Sequence, residues 1–293
     1  MGWLTECFSD LPDPRTGNAK RHELIEVVTM ALVASICGAE SCVDFADFAR
    51  DRQALFREFL KLENGLPSHD TFSRLFRLLK PEAFAACFGR FLEALGADGR
   101  GVVAIDGKTL RRSFDRAANG NALQVVSAFS CEARLVLGQA AVPAGGNEIT
   151  AARALLELFD LKGMLVTGDA IHCQGETAAL IEARGGQWLF ALKANRPQLL
   201  RDVEAFFADP GLPVERHVTT DADHGRVETR RHSVSHDVAW LASDRRYPDE
   251  RPLPGLATLA MVEAEVEQAG KTTLTRRYYL SSAKLDAERF ARS

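Results

Sequence analysis

Apolar residues recur at helical spacing through the first third of the chain and give way, after about residue 100, to short unbroken apolar runs of strand type. The segment His22 to Cys37 predicts an apolar helix, followed by helices around Cys42 to Arg50 and Arg52 to Leu60. After the Gly65-Leu66-Pro67 break, Ser68 stands where it can cap a helix running to Leu79, with Asp70 and Thr71 in its first turn. Pro81 occupies a first helical position and opens a helix to about Leu95. Two helices joined by a tight turn fit a DNA-reading helix-turn-helix, and they fit the commoner plain α-hairpin as well.

The Gly96 to Gly101 linker marks the change of period. Strands are expected at Val102 to Asp106, Leu123 to Cys131 and Leu135 to Val142, then a helix at Ile149 to Phe159, a strand at Met164 to Thr167, a helix at Glu176 to Arg184 and a strand at Trp188 to Leu192. Three strands, helix, strand, helix, strand is the order of an RNase H-like α/β fold with a mixed five-stranded sheet; a doubly wound α/β sheet shares the pattern. One more helix runs from Gln198 to about Ala208, and strand-like segments follow at Arg226 to Val234, Thr258 to Gln268 and Thr272 to Ser281. The expected organisation is therefore an all-helical domain over residues 1–98, a catalytic core over 99–210, a β-rich insertion over 211–284, and the start of a helix over 285–293.

Composition narrows the class. With 293 residues, 46% of them hydrophobic, the chain can bury a sizeable core. Six cysteines without a C-x-x-C pair suggest neither a zinc knuckle nor a disulfide framework. The longest apolar stretch, Val27 to Gly38, is too short for a bilayer span, and no basic segment precedes an apolar core at the N-terminus, so the expectation is a cytoplasmic protein without a membrane partner. A net charge of −4 gives no global support to a nucleic-acid partner. DNA contacts, if made, must come from local basic patches.

Two carboxylates end apolar strands: Asp106 in Val-Val-Ala-Ile-Asp-Gly-Lys and Asp169 in Met-Leu-Val-Thr-Gly-Asp-Ala. An acid at the edge of a buried strand is costly unless solvated, paired or bound to a cation. A shared site for Mg²⁺ or Mn²⁺ answers that cost, because hard cations take oxygen ligands; an ordinary turn-forming aspartate before glycine answers it too. Gly107-Lys108-Thr109 is no phosphate-binding loop, since the glycine required five positions earlier is Val102.

Basic residues cluster at three places. Lys108, Arg111, Arg112 and Arg116 follow Asp106, and Lys193 and Arg196 follow the fifth strand of the core, where they can meet DNA phosphates or line a solvated loop. On the alternating segment around Glu228, Arg226 and Arg230 share a strand face with it, alongside His224, Arg231 and His232. That arrangement fits a surface ion-pair ladder and a DNA-contacting ribbon equally. His172 and Cys173, just past Asp169, read as packing rather than as metal ligands or a nucleophile pair.

Several motifs, in order, resemble one family. Leu-Pro-Asp-Pro-Arg (11–15), Arg-His (21–22), Cys-Gly-Ala-Glu-Ser (37–41) and Gly-Leu-Pro-Ser-His-Asp-Thr-Phe (65–72) resemble the N-terminal associated domain of H-repeat, ISAs-type insertion-sequence transposases. Ala-Ile-Asp-Gly-Lys-Thr-Leu-Arg-Arg-Ser (104–113), Thr-Gly-Asp-Ala (167–170), Lys-Ala-Asn-Arg-Pro (193–197) and His-Gly-Arg-Val-Glu-Thr-Arg (224–230) look like the core of the same family.

The resemblance implies that Asp106 and Asp169 are the first two acids of a DDE triad holding Mg²⁺ or Mn²⁺. It implies double-stranded DNA as partner, at insertion-sequence ends and targets, with homo-oligomers as a further expectation. The third acid of the wider group lies in a Trp-x-Ile-Glu type motif, which does not occur here, so the sequence reads as truncated at its C-terminus and Glu228 is the acid left to consider. Three functions follow as expectations: a DNA transposase, an inactive truncated relative that binds DNA or inhibits a partner, and an RNase H-like nuclease closed by Glu228.

Overall fold

The computed structural model describes residues 2–94, 101–110, 122–143, 145–223, 226–241, 252–268 and 270–293. Arg111, Arg112, Arg116 and His224 lie outside the described residues, as does most of the Gly96 to Gly101 linker. The chain divides into two compact units, Met1–Asp98 and Gly99–Ser293.

The first unit is helical: α1 (Gly2–Cys7), α2 (Leu24–Ile36), α3 (Cys42–Asp51), α4 (Gln53–Arg57), α5 (His69–Leu78) and α6 (Pro81–Ala94). The apolar helix α2 is its centre, with Val27, Val28, Met30, Ala31 and Ala34 all buried. Ser41 and Asp44 form a reciprocal capping box at the start of α3, satisfying two backbone donors that a bare helix end would leave open. Ser68 does stand at the N-cap of α5, but its hydroxyl lies 3.3 Å from that of Thr71 and makes no capping bond. The helix expected over Arg52 to Leu60 shortens to Gln53–Arg57. Sequence pattern did not announce α1, which packs on α6 through Trp3 and Phe91, while Phe8 in the turn after it meets Phe84 and Phe91. Meanwhile α5 packs on α3 through Phe45, Phe72 and Phe76. The α5–α6 pair thus seats its two members mainly on different partners.

One polar anchor stands out in this unit. Glu26 is buried on α2, and its Oε1 accepts the backbone N–H of Leu62 at 2.8 Å. Leu62 itself has φ of 50°, a left-handed conformation that an L side chain adopts at a cost.

The second unit is a mixed sheet. Its strands are β1 (Gly101–Thr109), β2 (Gln124–Ser130), β3 (Leu135–Ala141), β4 (Met164–Gly168), β5 (Gln187–Leu192), β6 (Glu215–Asp223), β7 (Arg226–Ser235), β8 (Thr258–Gln268) and β9 (Lys271–Ser281). Among the described residues they form one nine-stranded sheet in the order β3-β2-β1-β4-β5-β9-β8-β7-β6. The three central strands β1, β4 and β5 are parallel, and the other pairings are antiparallel. Parallel neighbours need long crossovers, which here carry α7 (Glu148–Leu156) and α8 (Gly175–Ala183). A further helix, α9 (Pro197–Ala208), begins with proline at a position where no amide donor is needed.

The strand-rich stretch beyond α9 continues this sheet, because β9 pairs with β5 from Leu189↔Ser281 to Leu192↔Tyr278. The sequence pattern had left β6 unmarked. α10 (Ala287–Arg292) lies across β6 and β7, burying Ala287 and Phe290 in a cluster with Leu189, Val234, Ala260, Ala283 and Leu285. On β5, Trp188 is fully buried, stacks on Phe190 and donates its indole N–H to the Pro254 carbonyl at 3.2 Å. Among the described residues no helix is long and apolar enough to cross a membrane.

Candidate active site

Residue pairing across β1 and β4 runs from Gly101↔Met164 to Ile105↔Gly168. Asp106 and Asp169 are the next residues on each side, so both carboxylates stand at the same end of two neighbouring parallel strands, whose spacing is about 4.8 Å. Both are exposed. Lys108 Nζ lies 3.4 Å from Asp106 Oδ2. Asp169 Oδ1 accepts the Ile171 N–H at 2.9 Å, capping a single 3-10 turn at Ala170–His172. Asn195 donates to the Ala170 carbonyl at 2.6 Å, tying the loop after β5 to the same turn.

Beneath these strand ends lies a polar contact that no sequence signal had marked. Glu148, the first residue of α7, places Oε1 3.3 Å from His172 Nε2 and accepts a hydrogen bond from Gln124 on β2 at 3.1 Å. His172 is 1% exposed. Burial pulls its pKa below the ordinary imidazole value, and the neighbouring carboxylates of Glu148 and Asp169 only partly offset that. The expectation that His172 and Cys173 are packing residues agrees with their burial.

The sheet face carrying Asp106 is open over its first strands. Phe129 on β2 and Val136 on β3, which share that face, are each 37% exposed. Among the basic residues, Lys193 is exposed just past β5, while Arg196 is buried at the start of α9.

Registered pairs carried across the sheet put Arg226, Glu228 and Arg230 of β7 on the same face as Asp106. Glu228 is nevertheless four strand positions from β4, roughly 19 Å along the sheet. It accepts from Arg226 at 2.6 Å and from Arg230 at 2.8 Å, and the Arg230 guanidinium, seconded by Arg226, holds its carboxyl below the usual range. Arg231 meets Glu265 at 2.7 Å on the other face. The ion-pair ladder is therefore present, and the structure does not bring Glu228 to Asp106 and Asp169. Among the described residues no group of three or more His, Cys, Asp or Glu side chains converges as metal ligands do. A groove of 580 Å³ on this face runs from Thr167 and Gly168 to Arg226, Glu228 and Arg230, with Phe290 and Ser293 of the C-terminal segment at its wall.

Two family models cover almost the whole chain. Residues 5–92 match the DDE_Tnp_1-associated model, and residues 97–292 match the transposase DDE domain. The chain belongs to the DDE transposase family. A protein encoded in the dhlA 3′ region of Xanthobacter autotrophicus is 40% identical over 284 residues, spanning 95% of this chain and 94% of that protein. YhhI, an H repeat-associated protein of Escherichia coli (strain K12), is 36% identical over 293 residues, covering 98% of this chain and 77% of YhhI. YbfD, a second H repeat-associated protein of that strain, is 36% identical over 235 residues, covering 79% of this chain and 93% of YbfD. The resemblance read from motifs thus holds at the level of the family.

Within this DDE-family chain, Asp106 and Asp169 were legible because each ends an apolar run. Glu148 was not, because it follows Gly146-Asn147 in what reads as a plain helix start, and its partner His172 is 24 residues further on. Gly107, directly after Asp106, bears on that contact only once the fold is known: a β-carbon there would lie 2.2 Å from the Glu148 carboxyl carbon.

Proposed function

We propose that this chain carries the DNA-strand-processing site of an insertion-sequence transposase, with Asp106 and Asp169 as its metal-holding carboxylates on an RNase H-like core. The observation that carries the reading is the placement of both acids one residue beyond Ile105↔Gly168, at one end of adjacent parallel strands. The order β3-β2-β1-β4-β5 within the sheet supports the RNase H-like assignment.

Two exposed carboxylates from neighbouring strands suit Mg²⁺ or Mn²⁺, which are commonly held by one or two carboxylates with water and phosphate oxygens completing the shell. Such an ion, when bound, polarises the scissile phosphate and favours deprotonation of the attacking oxygen. The chain's own groups do the rest. Asp106 and Asp169 fix where the reacting phosphate sits, the Ile171 N–H keeps one Asp169 oxygen oriented, and Lys108 and Lys193 offer cationic charge to flanking phosphates. On this reading water hydrolyses a strand at the element's end, and the freed 3′-hydroxyl then attacks target DNA.

A second reading is favoured by one observation: among the described residues no third carboxylate joins the pair. On that reading the chain binds DNA without cutting. A labelled duplex carrying the element's ends, incubated with Mg²⁺ or Mn²⁺, separates the two. Metal-dependent cleavage lost in Asp106→Ala supports the first reading. Duplex binding without cleavage supports the second.

A further inference from the structure

We propose that Glu148 and His172 form a buried clamp that sets the spacing of the two aspartate-bearing strand ends, acting as positioning residues for Asp106 and Asp169. The clamp is assigned from four contacts. Gly107, the residue after Asp106, has no side chain, and the space is filled by Glu148: a β-carbon there would meet the Glu148 carboxylate oxygens at 2.4 and 2.5 Å. Gly168, the residue before Asp169, leaves space filled by His172, whose Cβ and Cδ2 would lie 3.1 and 3.2 Å from a β-carbon at that position. The two filling side chains then meet each other, Glu148 Oε1 to His172 Nε2, at 3.3 Å. Gln124 adds β2 by donating to the second carboxylate oxygen at 3.1 Å.

Each aspartate is therefore flanked in sequence by a glycine whose missing side chain is replaced by one jaw of the same pair. Glu148 sits on the face of β1 opposite to Asp106, as the alternation along a strand requires. Both side chains are largely shielded from water, and each fits closely into the space a glycine leaves, so the pair holds a narrow range of geometries. The pair consequently transmits any displacement of one strand end to the other. The inference rests on the metal-site reading only for what the clamp is for; that it couples the two strand ends is independent of metal.

The test is hydrogen–deuterium exchange on the full chain in EDTA, followed by the same measurement and calorimetric titration with Mn²⁺. In Glu148→Ala, amides around Gly107 and around Ile171 should both exchange roughly tenfold faster, while Glu148→Gln, which keeps the shape, an acceptor for Gln124 and the contact with His172, should restore protection. Glu157→Ala, at the exposed far end of α7, should leave both segments unchanged. Should Glu148→Ala fail to fold, Gly107→Ala displaces the same carboxylate and is expected to loosen the same two segments. Mn²⁺ affinity should fall roughly tenfold or more in Glu148→Ala and recover in Glu148→Gln. Loosening confined to α7, or of only one strand end, overturns the clamp. Paired loosening in a chain that takes up no Mn²⁺ supports the clamp and removes the metal-site reading instead.

Discussion

Ile105 and Gly168 face one another across parallel β1 and β4, and each is followed directly by an aspartate. Two like charges so placed repel one another when no metal ion lies between them, and the exposed Lys108 ammonium 3.4 Å from Asp106 relieves that only in part. Replacing Asp106 or Asp169 by asparagine is therefore expected to leave thermal stability in EDTA equal to or above that of the parent chain, by up to about 1 kcal/mol, or roughly 2–4 °C. The same variants should lose the stabilisation that added Mn²⁺ gives the parent. A drop of several degrees in EDTA would show instead that the carboxylates hold the fold.

Lys193 is exposed just past β5 on the loop that Asn195 ties to Ala170. Lys193→Ala should weaken duplex binding to every sequence alike and lower the salt slope of log affinity by about one. Binding titrations between low and moderate salt measure it. An unchanged slope would place the DNA elsewhere.

His232 is buried on β7 with its ring edge-on to Phe290, and burial first, then the charges of His217 and Arg230, holds its pKa below the ordinary 6.5. The unfolded chain then binds protons that the folded one refuses. Stability is complete above about pH 6.5 and falls as pH drops from there toward the depressed folded value. Urea unfolding at pH 7.5 and 5.5 should show this loss, and His232→Gln should reduce it. His22 and His172 are shifted in the same direction, so the dependence shrinks in that variant without vanishing.

Within the helical unit, Glu26→Ala removes the acceptor of the buried Leu62 N–H and should cost about 1–3 kcal/mol, whereas Glu26→Gln retains an acceptor and should cost less than half of that. Denaturant unfolding of both variants makes the comparison. Equal losses would mean that the charge, rather than the hydrogen bond, matters.

Local pattern located what local energetics decides. Apolar runs ending in Asp106 and Asp169 were readable because the central strands bury one face and half-cover the other, which leaves a nearly unbroken apolar run. Pro81 likewise marks a helix start by local chemistry. The strand β6 was missed because Glu215 to Asp223 is charged and edge-placed, with too few apolar residues to alternate visibly. Helix α1 was missed because six residues give too short a period to detect, and its Trp3 contact, like that of Phe8 just after it, is long-range. That β6 to β9 extend the core sheet follows from the β5–β9 pairing, whose partners are about 90 residues apart and leave no local trace. The Glu148–His172 contact was hidden for the same reason.

The antiparallel join of β9 to β5 has a consequence for how such a chain tolerates change. Strands added beyond β5 lie on the side away from β1, so their outer ends can lengthen or shorten in paired steps while the Ile105–Gly168 register stays fixed. Drift in that wing can remodel the face that carries Arg226 and Arg230, leaving untouched the spacing of the two aspartate-bearing strand ends.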